Sequence, residues 1–471
     1  MQGKKEEAQE TIRYIQQIDP LDYWSAAETN LSVSQGASFL KAGTNHNSKG
    51  IIAVQELLEV VNNYMTIGAT EDALTLLNSA ISLGEPYVSY PLLYYYKAYN
   101  LLKGKNTTEF QACLDKAASL SPLNNYPFRI EEIVLFTTLL QERPNDALLH
   151  YHLGNLLYYL GQKESGLEHW LHATEADPAF AIAARNVGFG YGCLNDLEKS
   201  MKYYDRAINA NPNDPLLLTE SDKIYEQANV PATQRLKRLE SHLKTVMKHD
   251  DAVMRLLTLY NATAKYDKAI KIMDTRHFHL WEGGGQVHDI YVDSHMLKGM
   301  QLLKRKQYKE AIREFDLANQ YPANLEVAPS PRGGYEAKVY YLSGIAYEAM
   351  KQADKARECF EKSAETHFRD YLTDLNYYKI KSLRKLNKNE KADAVLSNMQ
   401  KTLERMQQNL MDSYAKFGEA NQNVQQSNIS YYSGLIHLLL KNPSAAKNDF
   451  NQAIQLYPGN IWAKLMNEDV H

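Results

Sequence analysis

The sequence has little of the residues that build disulfide-rich or disordered proteins. Its three cysteines, Cys113, Cys193 and Cys359, are odd in number and far apart in 471 residues. We therefore expect no disulfide framework and no zinc motif, and we interpret the cysteines as small buried apolar residues. Glycine (23) and proline (15) are also scarce, which is typical of a helical chain.

Strong charge of one sign and long apolar runs are absent as well. With 52 basic and 56 acidic residues the formal net charge is -4, so we expect no nucleic-acid partner. No apolar run approaches the roughly 18 residues of a membrane span, and residues 1–7 lack the apolar region of a signal peptide. The expected location is therefore cytoplasmic or periplasmic.

Standard chemical motifs are missing too. No phosphate-binding GK[ST] loop, HExxH or GxSxG occurs in the sequence. We therefore expect no cofactor and no standard catalytic centre.

A repeat with a period near 34 residues is present instead. Four segments share a small residue on a first helix, a large residue on a second helix and, in most copies, a closing proline. The matching positions are Leu153-Gly154, Trp170 and Asp177-Pro178 in 147–180, Val187-Gly188, Tyr204 and Asn211-Pro212 in 181–214, Gly344, Ala356 and Phe360 in 337–370, and Gly434, Ala446, Phe450 and Tyr457-Pro458 in 427–460. The small residue lets the second helix pack closely, and the large residue fills the space beside it.

These segments resemble the tetratricopeptide repeat (TPR), a helical hairpin of about 34 residues. Weaker copies fill most of the remaining chain and bring the total to roughly ten units, several of them degenerate. The sequence thus predicts an all-α fold, an α-α superhelix of the TPR solenoid class. We divide it into degenerate units at 1–146, central units at 147–276, two insertions flanking one unit at 277–336, and C-terminal units with a closing helix at 337–471.

The first residues look like the second helix of a repeat, ending at Asp19-Pro20. We therefore expect the chain to be the C-terminal part of a longer protein. The alternative is a single amphipathic capping helix.

Two insertions, at 277–291 and 322–335, interrupt the repeats. Each follows a second helix and precedes a first helix, so both emerge on the same edge of the array. A single repeat separates them, which predicts a separation of roughly 10–20 Å. Insertions on one edge often form a binding face.

The first insertion is rich in histidine, aromatic, carboxylate and glycine residues. Four interpretations stay open: a loop packed over the groove, a small-ligand pocket with a sugar stacked on Trp281, a metal site, and catalysis by Glu282 with a second carboxylate. We name no metal ligands, because the histidines and carboxylates of the insertion do not have the spacing of a usual metal site. Glu282 is only a weak catalytic candidate. The ligand-binding candidates are His277, His279, Trp281, Glu282, Gly283, Gly284, His288, Asp289 and Tyr335.

The run from His277 to Gly284, followed by 321–325, also resembles the C-terminal part of a family of large bacterial proteins. In that family a β-sandwich domain of unknown function precedes a TPR tail. The family has proline where Leu280 stands and glutamate where Gly285 stands, so no carboxylate is carried over at 285. The resemblance implies a link to carbohydrate metabolism.

We expect a scaffold that binds a protein, a peptide or its own missing N-terminal domain along a concave groove. A clamp for a peptide carboxylate would need several groove-facing basic and amide residues, and only Arg185-Asn186 begins such a set. The alternative is an accessory part of a carbohydrate-active enzyme, with the 277–291 loop at a sugar site.

Overall fold

The computed structural model describes residues 4–20, 22–32, 51–104, 107–123, 125–279, 286–329, 334–366, 372–417 and 419–470. Across these ranges the ordered elements are helices, and no strand occurs in them. The predicted all-α class is thus confirmed. The chain forms two compact units, unit 1 (Met1–Asn211) and unit 2 (Pro212–His471).

Unit 1 is a stack of helical hairpins preceded by two N-terminal helices. Its helices are α1 (Lys5–Ile18), α2 (Tyr23–Ser32), α3 (Ile51–Thr66), α4 (Thr70–Ser82), α5 (Pro91–Lys103), α6 (Thr107–Ala118), α7 (Glu131–Glu142), α8 (Ala147–Tyr159), α9 (Lys163–Ala176), α10 (Ala181–Cys193) and α11 (Leu197–Ala210). The repeat pattern did not predict α7. It packs between α5 and α8, where Phe136 contacts the rings of Tyr95 and His152.

Unit 2 continues the hairpins but contains three helices longer than the repeat requires. Its helices are α12 (Pro215–Gln227), α13 (Ala232–Ser241), α14 (Leu243–Val246), α15 (Asp250–Ala262), α16 (Tyr266–Thr275), α17 (Gln286–Lys304), α18 (Tyr308–Ala318), α19 (Glu336–Ala349), α20 (Ala353–Glu365), α21 (Leu375–Lys385), α22 (Asn389–Phe417), α23 (Glu419–Leu439), α24 (Pro443–Leu456) and α25 (Ile461–Asp469). The long ones are α17, α22 and α23. Because α17 begins at Gln286, the last part of the predicted 277–291 insertion is helical.

The predicted pairing of a small and a large residue is present in the hairpins. A Cβ atom on Gly154 would lie 2.5 Å from Trp170 Cδ1, and one on Gly344 would lie 2.6 Å from Phe360 Cε1. Such distances are well inside van der Waals contact, so glycine is needed for the two helices to approach this closely. This confirms the expectation that the small residue on the first helix lets the second helix pack closely.

The stretch 215–247 lacks these small residues and is held by ionic contacts instead. The Arg235 guanidinium donates to both Asp222 carboxylate oxygens at 2.8 and 2.9 Å and to Glu226 at 3.0 Å. Arg255 on α15 donates to the same two acids at 2.7 and 2.9 Å. Burial acts to raise the pKa of Asp222, but these guanidinium contacts outweigh it and the pKa is lowered.

Candidate functional site

The two insertions lie in direct contact, which confirms the prediction that they are neighbours. The Phe278 amide donates to the Asn324 carbonyl at 2.9 Å. The Asn324 side chain in turn donates to the carbonyls of Met273 and Arg276, at 2.6 and 2.8 Å, and so caps the end of α16. The buried ring of Phe278 fixes this contact in place.

His277 and His279 flank the buried Phe278 and are both exposed. Arg276, the residue before them, has extended backbone geometry, and side chains two residues apart in an extended chain share one face. Both rings therefore lie together, with centroids 4.7 Å apart. His277 Nε2 is 2.7 Å from Glu326 Oε1, and His279 Nδ1 is 3.8 Å from the same oxygen. Glu326 belongs to the second insertion and was not among the predicted site residues.

His288 and Asp289 lie in the first turns of α17 rather than in a loop. The His288 ring is buried, stacks on Tyr321 with centroids 4.0 Å apart and donates from Nε2 to the Gln320 carbonyl at 2.9 Å. The Tyr335 hydroxyl donates to Asp289. Burial and the Asp289 charge raise the pKa of Tyr335. These three residues join the insertions to α17.

Trp281, Glu282, Gly283 and Gly284 lie outside the described residues. The sugar pocket and the catalytic hypothesis both depend on them. Both therefore stay predictions.

A second candidate surface precedes α7 in unit 1. Over residues 125–130 burial alternates strictly: Asn125, Pro127 and Arg129 are buried, whereas Tyr126, Phe128 and Ile130 are exposed. We call the three outward residues the Tyr126 face. The polarity is the reverse of a normal surface strand, because the amide and the guanidinium point inward and the apolar side chains point outward.

The inward side chains are held by hydrogen bonds to neighbouring helices. Arg129 donates to the Gln55 side chain at 2.7 Å, to the Gln55 carbonyl at 2.9 Å and to Glu59 at 2.9 Å, all on α3. Asn125 is 2.9 Å from the buried ring of His152 on α8. The segment is therefore tied to two hairpins of unit 1.

The buried carboxylate of Glu132 completes this anchor. It accepts the backbone amides of Phe128 and Arg129 at 2.8 and 3.0 Å and the hydroxyl of Tyr96 at 2.9 Å. Burial raises the pKa of Glu132, and these donors partly offset that rise. Sequence reasoning missed the whole anchor, because its partners come from helices far apart in the chain.

In unit 2 the C-terminal helix α25 reaches across to earlier repeats. The Trp462 indole donates to Asp293 on α17 at 2.9 Å, and its ring lies beneath the Lys338 ammonium of α19. Lys304 forms a second bridge, at 2.7 Å, to Asp469. The closing helix thus contacts the first helices of two earlier hairpins as well as its neighbour.

Three further interpretations from the sequence have clear outcomes. The cluster of tyrosines at 90–96 is buried, as expected for core residues. The interpretation of all three cysteines as buried holds for Cys113, but Cys359 is only half-buried and Cys193 is exposed at the end of α10. Arg185 donates to its neighbour Asn186 at 3.1 Å and lies over the Phe189 ring, so the start of the peptide clamp is engaged within unit 1.

A cleft of about 330 Å³ lies among α22, α23 and α24. Its lining is largely polar and contains none of the predicted site residues: Gln407, Gln426, Ile429, Ser430, Ser433, Asp449, Gln452 and Leu456. None of the helices in the described ranges combines the length and hydropathy needed to span a bilayer.

Comparison with known proteins agrees with the repeat pattern. A family model described as "Tetratricopeptide repeat" matches residues 191–214, 337–366 and 431–460. Among solved structures, the C-terminal part of a TPR-containing protein from Cytophaga hutchinsonii is 11% identical, with 57% of this chain and 98% of that chain aligned and a TM-score of 0.34.

Two further solved structures show an equally distant similarity to this chain. YrrB, described as a TPR protein with an unusual peptide-binding site, is 16% identical over 49% of this chain and 91% of its own, with a TM-score of 0.24. MamA from Desulfovibrio magneticus RS-1 is 18% identical over 41% and 93%, with a TM-score of 0.23. These scores are too low to transfer any structural detail. The matched repeats, together with the glycine–aromatic pairs of the hairpins, show that the chain is a tetratricopeptide-repeat protein.

Proposed function

We propose that this chain is a protein-interaction scaffold and that the Tyr126 face of unit 1 binds an apolar segment of a partner protein. TPR arrays present extended surfaces suited to binding proteins or peptides. The Tyr126 face adds a specific place on this chain where such a segment would bind.

The observation that carries the proposal is the reversed alternation of burial over residues 125–130. Tyr126, Phe128 and Ile130 are 61%, 46% and 67% exposed. Leu123 and Val134, just before and just after this segment in the chain, are also exposed, at 63% and 58%. Large apolar side chains that are exposed together on one face are characteristic of an interaction site.

The anchor of the segment supports a binding role. The contacts of Arg129 and Asn125 hold the backbone so that the apolar side chains are presented to solvent. Since the surface is already ordered, binding costs less conformational entropy of this segment than it would if the segment were a loose loop.

In unit 2 the C-terminal helix occupies part of the surface of two first helices. There Asp293 and Lys338 are already in contact with Trp462 of the same chain. We therefore place the partner site on unit 1.

The partner is an apolar segment with aromatic or branched aliphatic side chains. The Arg129 guanidinium is paired with Glu59 and Glu132 and lies over the Phe128 ring, so it offers no carboxylate or phosphate site. We expect modest salt dependence of binding, because the contact area is mainly apolar.

A peptide-display library selected on the full chain tests the proposal. We expect selected peptides to be rich in aromatic and aliphatic residues. Dissociation constants are then measured by fluorescence anisotropy for the wild type and for the triple variant Tyr126→Ser/Phe128→Ser/Ile130→Ser. Loss of even one central aromatic contact of about 2 kcal/mol would weaken binding by more than about tenfold.

The matched control is Tyr159→Ser/Leu160→Ser/Leu194→Ser, which removes three other exposed apolar side chains of unit 1. It should leave the dissociation constants within about twofold of the wild type, because substitutions outside an interface usually have little effect on affinity. Circular dichroism verifies that both variants are folded. Equal affinity of the wild type and the Tyr126-face variant would refute the proposed site.

A further inference from the structure

We propose that His277, His279 and Glu326 form a binding site for a divalent transition-metal ion of the zinc type. The site lies in unit 2, where the two insertions meet. It is independent of the proposed function of unit 1.

The first two ligands are placed by the backbone. His277 and His279 alternate with Phe278, whose ring is fully buried and whose amide donates to the Asn324 carbonyl. The His279 amide donates to Asp250 at 2.9 Å. These contacts hold the short segment in place, with the two imidazole rings 4.7 Å apart.

The third ligand comes from the other insertion. The one-turn 3₁₀ helix Ala323–Leu325 ends at Glu326, whose φ of 52° and ψ of 27° are left-handed. Leu325 is buried beside it. This turn directs the Glu326 carboxylate toward the two imidazoles, although the residues are 49 positions apart in the chain.

The distances are compatible with a shared ion. The three ligand atoms all lie within 4.8 Å of one another. Zinc–nitrogen and zinc–oxygen bonds of about 2.0–2.2 Å place ligand atoms roughly 3–3.5 Å apart. Small side-chain rotations therefore suffice, and these side chains have room to rotate because all three residues are exposed.

The donor set selects the class of ion. Two imidazole nitrogens and one carboxylate oxygen favour zinc and similar late transition metals. Calcium and magnesium prefer shells made of oxygen ligands. Three protein ligands leave further positions for water or for a group of a binding partner. A bound ion would also join the two insertions to each other.

A second histidine cluster provides a stringent comparison. His150, His169 and His172 lie together in unit 1, with ring centroids 5.1 Å apart for two of the pairs. However, His150 Nδ1 already shares a hydrogen bond of 2.9 Å with His169 Nδ1, and His150 Nε2 lies 2.9 Å from the Pro144 carbonyl. Both ring nitrogens of His150 are thus engaged and the residue is buried, whereas at the exposed proposed site an ion would replace the single His277–Glu326 hydrogen bond.

Isothermal titration of the full chain with zinc chloride tests the proposal, using protein from which any histidine tag has been removed. We expect one ion per chain with micromolar affinity near neutral pH. His277→Ala, His279→Ala and Glu326→Gln should each weaken binding by at least about tenfold, and magnesium chloride should give no binding in the same range. With cobalt chloride, the visible absorption spectrum should show the d–d bands of a cobalt ion of low coordination number. The His277→Ala variant should lose these bands.

The matched control is His172→Ala in the unit 1 cluster, which should leave zinc binding unchanged. Circular dichroism shows that the variants are folded, which is expected because each replaced side chain is exposed. Three results would overturn the assignment: no zinc binding tighter than millimolar, unchanged affinity in His277→Ala, or loss of binding in the His172→Ala control.

Discussion

Replacing Asp293 with asparagine should change how the stability of the protein depends on pH. The carboxylate is half-buried on α17 of unit 2, where it accepts the Trp462 indole N–H. Burial raises its pKa from 3.8 to about 7, although the Lys338 charge and the indole N–H act to lower it. The folded state therefore retains a proton on Asp293 that the unfolded chain has already lost.

The sign of the effect follows from that difference. An acid whose pKa is raised by folding contributes stability at low pH, and this contribution is lost as the pH rises through the folded-state pKa. Below pH 3.8 both states are protonated, and the loss occurs between 3.8 and about 7. From about pH 5 to pH 8 it amounts to about 2–3 kcal/mol, at 1.36 kcal/mol per pKa unit.

The Asp293→Asn variant should not show this loss. Its amide oxygen still accepts the indole N–H, and Lys338 keeps its contact with Asp374 at 2.9 Å. The free energy of unfolding of the variant, relative to wild type, should rise by about 2–3 kcal/mol between about pH 5 and pH 8. Urea unfolding followed by circular dichroism at a series of pH values measures it.

The control is Glu404→Gln, which neutralises an exposed carboxylate on α22. The free energy of unfolding of this variant should depend on pH in the same way as that of the wild type. If the pH dependence of Asp293→Asn were also the same as that of the wild type, the reasoning about the Asp293 carboxylate would be refuted.

Other substitutions test the packing of individual hairpins. Arg235→Met should destabilise unit 2 by about 3–5 kcal/mol in urea unfolding, because it leaves the buried Asp222 charge short of a partner. Gly344→Ala should cost about 1–3 kcal/mol through its clash with Phe360, and Gly344→Ala/Phe360→Leu should recover part of that loss. Trp462→Phe removes the donor to the half-buried carboxylate on α17, so amide hydrogen exchange in α25 should become faster.

The sequence predicted the fold well where short-range rules decide it. The spacing of Gly154 and Trp170 within one repeat already specifies how closely two helices pack, and the same spacing recurs at Gly344 and Phe360. A fixed period therefore predicts hairpins without knowledge of any distant contact. The helix α7 was missed because it has no small-residue position and depends on packing between α5 and α8.

The candidate sites were harder to predict, because their residues come from distant parts of the chain. His277 and His279 were recognised as candidates, but Glu326 could not be joined to them until the two insertions were seen in contact. Likewise, Arg129 looks like an ordinary surface residue in the sequence. Its partners Gln55 and Glu59 lie on α3, about two repeats earlier.

Photo-crosslinking at residue 128 tests the central claim most directly. Benzoylphenylalanine is placed at position 128 or, as a control, at position 159, and each protein is irradiated with a biotin-labelled peptide selected on the wild type. The account predicts a peptide adduct at 128 that unlabelled peptide suppresses, and little adduct at 159. Undiminished binding with no adduct at 128, or equal adducts at both positions, would contradict it.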